Sequence, residues 1–273
     1  MSDDVETPGA AVRHPSRAAL AFYAICRVVA VGLSSAYWPG PVIGSSRLPA
    51  NGAYLLAPLH RSNVDWLVVA RVTRRRLRYL VKAEVWKVPL IGRFIELLGA
   101  FSVRRGSPDR ESLNRCLEVL AEGEPLVVFP EGTRQAGAEV GPLLEGAAYM
   151  ALRSGVPIVP VGLAGTEAAM PRGKRLPRPG RVVIVIGEPI LPWGVDATAQ
   201  RPGRVARSAT RVLTETLRSS IEQASADAAS LLGSRHGPRV GSRGGTTAPT
   251  ATDRAAPASP AGDESDAPGA TTP

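Results

Sequence analysis

Of the three histidines in this 273-residue chain, one stands where a foldable stretch and a carboxylate coincide. In Leu59-His60-Arg61-Ser62-Asn63-Val64-Asp65-Trp66, an imidazole and an acid lie five residues apart. His14 falls in a polar N-terminal arm beside Pro15, and His236 in a Gly/Ser/Arg-rich stretch near the C-terminus. His60 is therefore the imidazole placed for acid–base chemistry near neutral pH. On one continuous helix, positions five apart point about 140° away from each other, so the two side chains would not meet. They meet if His60 closes a strand or turn and a helix starts just after it. Tyr54-Leu55-Leu56-Ala57 reads as a short apolar strand, and Pro58 stops helical continuation backwards. Ser62 and Asp65 have the spacing of a capping box that opens a helix over Val64–Arg71. A plainer alternative stays open, with Asp65 an ordinary first-turn residue and His60 a polar loop residue.

A second stretch bears on that choice. Leu126-Val127-Val128-Phe129 is a short β-rich run, followed by Pro130-Glu131-Gly132-Thr133-Arg134, where a glycine permits a tight turn and polar groups emerge together. His60-x4-Asp65 followed by this second motif resembles the glycerolipid acyltransferase family, the 1-acyl-glycerol-3-phosphate acyltransferases. Between the two, Gly99-Ala100-Phe101-Ser102-Val103-Arg104-Arg105 is similar to the family's glycine-to-arginine block, and Val156-Pro157-Ile158-Val159-Pro160-Val161 to its fourth block. The likeness covers roughly residues 40–195, with four motifs in order.

The resemblance implies transfer of an acyl group from a thioester, on coenzyme A or an acyl carrier protein, to the free hydroxyl of 1-acyl-glycerol-3-phosphate. Phosphatidic acid would be the product. It assigns His60 as general base and Asp65 as the carboxylate that orients it, and it places the acceptor phosphate at Arg105, Glu131, Gly132, Thr133 and Arg134. No enzyme nucleophile, cofactor or metal is called for, which agrees with the absence of a G-x-S-x-G elbow. The oxyanion donors are not identified by sequence; the backbone amides opening the helix after His60 are the candidates. Two departures bear on acceptor choice. Leu143-Leu144-Glu145-Gly146 stands where relatives carry Phe-Lys-x-Gly, and Arg104 stands where an acidic residue is common. Acylation of another lysophospholipid or alcohol is the alternative within the class, and a non-catalytic lipid-binding protein on the same fold is the alternative outside it.

The formal charge of +9 comes almost wholly from arginine, since Lys82, Lys87 and Lys174 are the only lysines. Such a charge suits an anionic membrane surface, an acidic carrier or a phosphate substrate. Nucleic acid is disfavoured, because aromatics make up 5% of the chain and no finger, RRM or basic-zipper pattern appears. Neither a P-loop nor G-x-G-x-x-G is present. Cys26 and Cys116 lie far apart, form no metal-ligand cluster, and read as plain apolar residues of a reducing compartment.

The elements that must position these residues follow from periodicity. Strands alternate with helices, which predicts an α/β domain over residues 41–232 with a mostly parallel central sheet flanked by helices. Strands are expected over Leu77–Val81, Phe101–Val103, Ile158–Gly162 and Val182–Ile186. Helices are expected over Pro89–Leu98, Ser112–Glu122, Gly146–Arg153 and Val205–Leu232. Residues 1–16 read as a mobile arm, and 233–273, rich in Gly, Pro, Ser, Thr and Ala, as a disordered tail. Residues 17–40 hold an apolar helix whose Phe22, Ile25, Val29 and Leu33 fall on one stripe, interrupted by Arg27 and closed by Tyr37 and Trp38. The stripe and Trp38 are expected to touch a membrane, placing the protein at the cytoplasmic face of the cell membrane, peripheral or shallowly inserted. Whether this helix spans, lies on the surface or packs on the domain stays open. The arginines at 71, 74, 75, 76 and 78 read either as a solvated helix end or as a docking surface for an anion.

Overall fold

The structure, a computed structural model, describes residues 16–82, 100–103, 110–174, 176–194 and 205–234. The expected arm, the Pro89–Leu98 helix and the expected tail lie outside the described residues, apart from the ends of the arm and tail at Ser16 and at Gly233 and Ser234. Seven described strands form one sheet: β1 (Val42–Ile43), β2 (Leu55–Pro58), β3 (Arg78–Lys82), β4 (Ala100–Val103), β5 (Leu126–Val127), β6 (Ile158–Ala164) and β7 (Val183–Ile186). Their order is β1-β7-β6-β2-β5-β3-β4. The described α-helices are α1 (Arg17–Tyr37), α2 (Asp65–Val69), α3 (Arg110–Ala121), α4 (Gly146–Ser154), α5 (Thr166–Ala169) and α6 (Arg207–Gly233).

The mostly parallel α/β sheet is as expected from sequence. Strands β6, β2, β5, β3 and β4 pair in parallel. The edge differs: β7 runs antiparallel to β6, and the two-residue β1, too short to read from sequence, pairs in parallel with β7. Strand β2 is central. Leu55–Pro58 faces Ile158–Val161 on one side, while Leu55 and Leu56 face Leu126 and Val127 on the other. All four of its residues are buried, which is why the stretch reads as a continuous apolar run.

Alternation along β2 divides the core between the two faces of the sheet. Leu55 and Ala57 pack with Leu126, Ile158, Met150, Leu213 and Leu217. Tyr54 and Leu56 pack on the other face with Val127, Val159, Val68 and Trp38. On α6 the buried Leu213, Leu217, Ile221, Ala224 and Ala228 recur at helical spacing. Each fully buried Leu or Ile there contributes on the order of 1.5–3 kcal/mol. The helix lies so close to β6 that a Cβ on Gly162 would fall 2.2 Å from the backbone of Ala224, so only glycine fits at that crossing. Cys116 is buried in the same core, where burial pushes its thiol up to about 12, and both cysteines are free.

Helix α1 is built the wrong way round for a helix that packs on a soluble core. Its inward side carries Tyr23, Arg27 and Ser34, and its outward side the apolar stripe. Arg27, which breaks the apolar run in the sequence, reaches back to the Ala70 carbonyl at 3.2 Å and to that of Thr73. The stripe is left bare of charge, with Ile25 64%, Val29 54% and Leu33 65% exposed and Phe22 at the same surface. Trp38 corrects the sequence reading. It is buried, with its indole N–H donating to the Arg178 carbonyl at 2.9 Å, and so belongs to the core rather than to the outward stripe.

The arginines after α2 are mostly internal staples, not a free docking surface. Arg71 donates to the Trp38 and Gly40 carbonyls, and Arg75 to those of Pro49 and Gly123, satisfying loop acceptors that have no ladder partner. Arg76 and Arg78 face Glu124, and burial holds the Arg78 guanidinium below its usual range. Only Arg74 of the group is exposed.

Candidate active site

The β2 ladder runs one residue past the strand, where the Leu59 N–H donates to the Val161 carbonyl at 3.0 Å. His60 comes next, at the carboxyl end of a central parallel strand, where open α/β sheets place their sites. Its backbone is gripped from the second motif: the N–H donates to Glu131 Oε2 at 2.9 Å, and the carbonyl accepts from the Gln135 N–H at 3.0 Å. The imidazole stacks on Phe129, with ring centroids 4.1 Å apart and planes 29° from parallel. Both ring position and backbone are thereby fixed.

Residues 61–64 form a turn, so the five-residue spacing closes instead of diverging. His60 Nδ1 lies 2.9 Å from Asp65 Oδ2. The same oxygen accepts the Arg61 and Ser62 amides, both at 2.7 Å, so three donors converge on one fully buried carboxylate. An ionised carboxylate only accepts, which places the imidazole proton on Nδ1 and leaves a lone pair on Nε2. No described residue hydrogen-bonds that nitrogen, and the histidine side chain keeps 14% of its surface open.

The capping box is only half formed. Asp65 reaches back to the Ser62 amide, but the Ser62 hydroxyl donates to the Met170 carbonyl at 2.9 Å. Helix α2 runs only from Asp65 to Val69, shorter than the expected 64–71. The Arg61 and Ser62 amides are held by Asp65, which removes them as oxyanion donors.

Arg61 is the residue sequence reasoning missed. Its Nη1 sits 2.8 Å from both Glu131 oxygens, and the side chains are 3% and 1% exposed. Its Nε donates to the Gly137 carbonyl at 2.7 Å and its Nη2 to that of Glu139 at 2.6 Å. One guanidinium thus ties the His60 turn to the loop after β5. Glu131, read as lining the acceptor-phosphate site, is buried beneath His60 with both oxygens engaged. The signal was a lone cation in one motif and a lone anion following a buried strand in the other.

The second motif turns at Gly132, whose φ of 69° favours glycine, with the exposed Leu144 side chain lying over it. Past the turn, Thr133 is exposed and Arg134 half-buried, and Arg134 makes no hydrogen bond or ion pair with another described residue. Arg105 and Arg104 lie outside the described residues, so the expected arginine pair is visible at one member. Leu144, one of the departures noted in the sequence, is exposed beside this turn. Among the described residues, no group of three or more His, Cys, Asp or Glu is placed to hold a metal ion.

The Acyltransferase family model matches residues 41–164, which contain every motif described above. The 1-acyl-sn-glycerol-3-phosphate acyltransferase of Bacillus subtilis is 31% identical over 150 residues, covering 55% of this chain and 72% of the relative. The chain belongs to the glycerolipid acyltransferase family. A family member from Chlamydomonas reinhardtii with the same activity in its name is 31% identical over 179 residues, covering 63% of this chain, which spans about half, 53%, of that relative's length. The lyso-ornithine lipid O-acyltransferase of Pseudomonas aeruginosa is 32% identical over 168 residues, covering 52% of this chain and 64% of the relative. The crystal structure of the 1-acyl-sn-glycerophosphate acyltransferase from Thermotoga maritima shares the fold, with a TM-score of 0.60, 23% identity, and coverage of 78% of this chain and 83% of that one.

Proposed function

We propose that this chain is an O-acyltransferase that acylates the free hydroxyl of 1-acyl-glycerol-3-phosphate from an acyl thioester, giving phosphatidic acid. The observation that carries the reading is the 2.9 Å contact between His60 Nδ1 and the buried Asp65, with Nε2 left open. An alcohol is a weak nucleophile at neutral pH, and a base within hydrogen-bond reach takes its proton as it attacks. Nε2 of His60 accepts that proton while the acceptor oxygen bonds to the thioester carbonyl carbon. Asp65 holds the tautomer and stabilises the imidazolium that forms. The tetrahedral intermediate then collapses with loss of the thiolate, which takes the proton from His60. The ester and a free thiol leave, and the enzyme returns to its starting state.

Arg134 and Arg105 hold the acceptor phosphate in this reading, since a guanidinium grips two phosphate oxygens at once. The donor is coenzyme A or an acyl carrier protein. The apolar outer stripe of α1 rests on the cytoplasmic face of an anionic membrane, where the lipid acceptor resides. The helix is long and apolar enough to cross a bilayer by length and composition, but Arg27 ties its middle to the domain, which favours a surface position. A second acceptor class is favoured by Leu144: replacing a lysine beside the acceptor turn lowers the local positive charge and suits a lyso-lipid without a phosphate monoester. A purely lipid-binding role leaves the oriented His60–Asp65 pair without a purpose.

The test is incubation of the purified chain with lysophosphatidic acid, lysophosphatidylglycerol and lyso-ornithine lipid, each against coenzyme A and carrier-protein thioesters, with product read by mass spectrometry. Phosphatidic acid as the preferred product supports the reading. Preference for a lyso-lipid without the phosphate monoester selects the second acceptor class, and no transfer in any pairing overturns both.

A further inference from the structure

Between α5 and β7 the chain makes a compact loop whose ends are pinned by the Arg178 N–H donating to the Ala169 carbonyl at 2.7 Å. Gly173, at φ 83°, and the 3.1 Å bond from the Lys174 N–H to the Pro171 carbonyl make its turn. Arg172, Lys174 and Arg178 are exposed on it, no acidic residue occurs from Ala168 to Arg181, and Leu176 is 80% exposed. That is the most exposed large apolar side chain among the described residues, and it sits among cations.

The loop is fastened to the end of α1. The Tyr37 hydroxyl donates to the Pro177 carbonyl at 3.1 Å, the Trp38 indole to that of Arg178 at 2.9 Å, and the Gly180 N–H to that of Tyr37 at 3.5 Å. Between them lies an apolar cavity of about 390 Å³ lined by Leu33, Tyr37, Trp38, Leu67 and Pro177. Leu33 also belongs to the outward stripe of α1, so stripe, cavity and loop form one continuous surface. At its other end the loop begins at Met170, whose carbonyl accepts the Ser62 hydroxyl in the His60 turn. The surface therefore abuts the turn that carries the base.

We propose that this loop is a second membrane-docking element, in which Leu176 enters the bilayer while Arg172, Lys174 and Arg178 bind anionic headgroups. The proposal rests on the membrane contact assigned to α1 and gives it a basic, headgroup-reading part: the stripe of Phe22, Ile25, Val29 and Leu33 carries no charge to select anionic lipid, whereas the loop carries Arg172, Lys174 and Arg178 among its described residues. Cations near an anionic surface contribute about 1 kcal/mol each, or roughly fivefold in binding. An apolar side chain flanked by cations matches the layered chemistry of a bilayer surface, with headgroups outside and acyl chains beneath. An acidic carrier protein would use the cations but has no need of a bare leucine beside an apolar helix.

The test compares binding of the full chain to vesicles of phosphatidylcholine with and without phosphatidylglycerol. The loop variants are Arg172→Glu/Lys174→Glu and Leu176→Asp, and the reference variant is Arg207→Glu/Arg211→Glu on the exposed side of α6. The charge-reversed loop should lose at least about tenfold in affinity for anionic vesicles. Leu176→Asp should weaken binding to both vesicle types, and the α6 variant should bind as the parent does. Equal losses in the loop and α6 variants, reflecting only the net positive charge, would overturn the proposal, as would no loss in either. Unchanged vesicle binding with a raised KM for a carrier-linked donor would assign the loop to the carrier instead. Turnover on a detergent-dispersed, short-chain acceptor separates this from the catalytic reading, because the loop variants should retain it while losing activity on vesicles.

Discussion

The turn after β2 and the outer face of α1 handle charge and apolar surface in opposite ways. At the turn, Arg61, Asp65 and Glu131 are taken out of water, and their charges are met by one another, by the His60 ring and by backbone groups. Along α1 Arg27 is folded inward, and Ile25, Val29 and Leu33 are left more than half exposed. Buried charges are costly unless matched, so the turn is over-determined and each member holds the others in place. The exposed side chains on the outer face of α1 carry no buried charge to match, so the fold depends on them far less. Substitutions in the first region should therefore change chemistry and folding, whereas those in the second should change only where the protein resides.

The largest effect is expected at Asp65. In Asp65→Asn an amide oxygen in the place of Oδ2 still accepts the Arg61 and Ser62 amides and the His60 Nδ1 proton, but it carries no charge to stabilise the imidazolium that forms. Turnover should fall on the order of 10²–10⁴-fold, measured as kcat with saturating acceptor and donor. Arg61→Met comes next. It leaves the Glu131 carboxylate buried without its cation, which should destabilise the fold by about 3–5 kcal/mol, read from denaturant unfolding. A further Glu131→Leu should recover much of that stability but not activity, because the His60 N–H then loses its acceptor.

Arg134→Lys should cost less, about 1.5–3 kcal/mol, or roughly 10- to 150-fold in kcat/KM for a phosphate-bearing acceptor, with donor KM unchanged. A loss confined to the donor would remove Arg134 from the acceptor clamp. Smallest in folding terms is Ile25→Asp/Leu33→Asp on α1. Stability should move by no more than about 0.5 kcal/mol, while co-sedimentation with anionic vesicles drops. If the pair lowered Tm as a core substitution does, the stripe would be an internal packing surface and the contrast between the two regions would collapse.

What the sequence made legible follows the same division. Local signals placed a strand at Tyr54–Ala57 and a helix start at Val64, each one residue from β2 and α2, and left room for His60 and Asp65 to meet. The alternation of strands and helices gave the parallel block, because fully buried strands write themselves as apolar runs. Tertiary destinations were not legible. Arg61 drew no reading, and the arginines from 71 to 78 read as a solvated helix end or a docking surface, because nothing local reveals the carbonyls and carboxylates that β5 and neighbouring loops bring to them. Trp38 read as an outward anchor because its partner, the Arg178 carbonyl, lies 140 residues away. The antiparallel β7 was hidden because the strand's composition does not depend on its direction.

The central claim is that His60, held by Asp65, takes the proton of the acceptor hydroxyl. Its most direct test is single-turnover acyl transfer by His60→Gln, a variant that keeps a polar side chain of similar reach without a base. Acceptor binding and thermal unfolding are measured on the same preparation. The predicted result is a protein with parental Tm and acceptor affinity whose acyl-transfer step is slowed on the order of 10²–10⁴-fold. Transfer at near-parental rate by that folded, acceptor-binding variant would contradict the account.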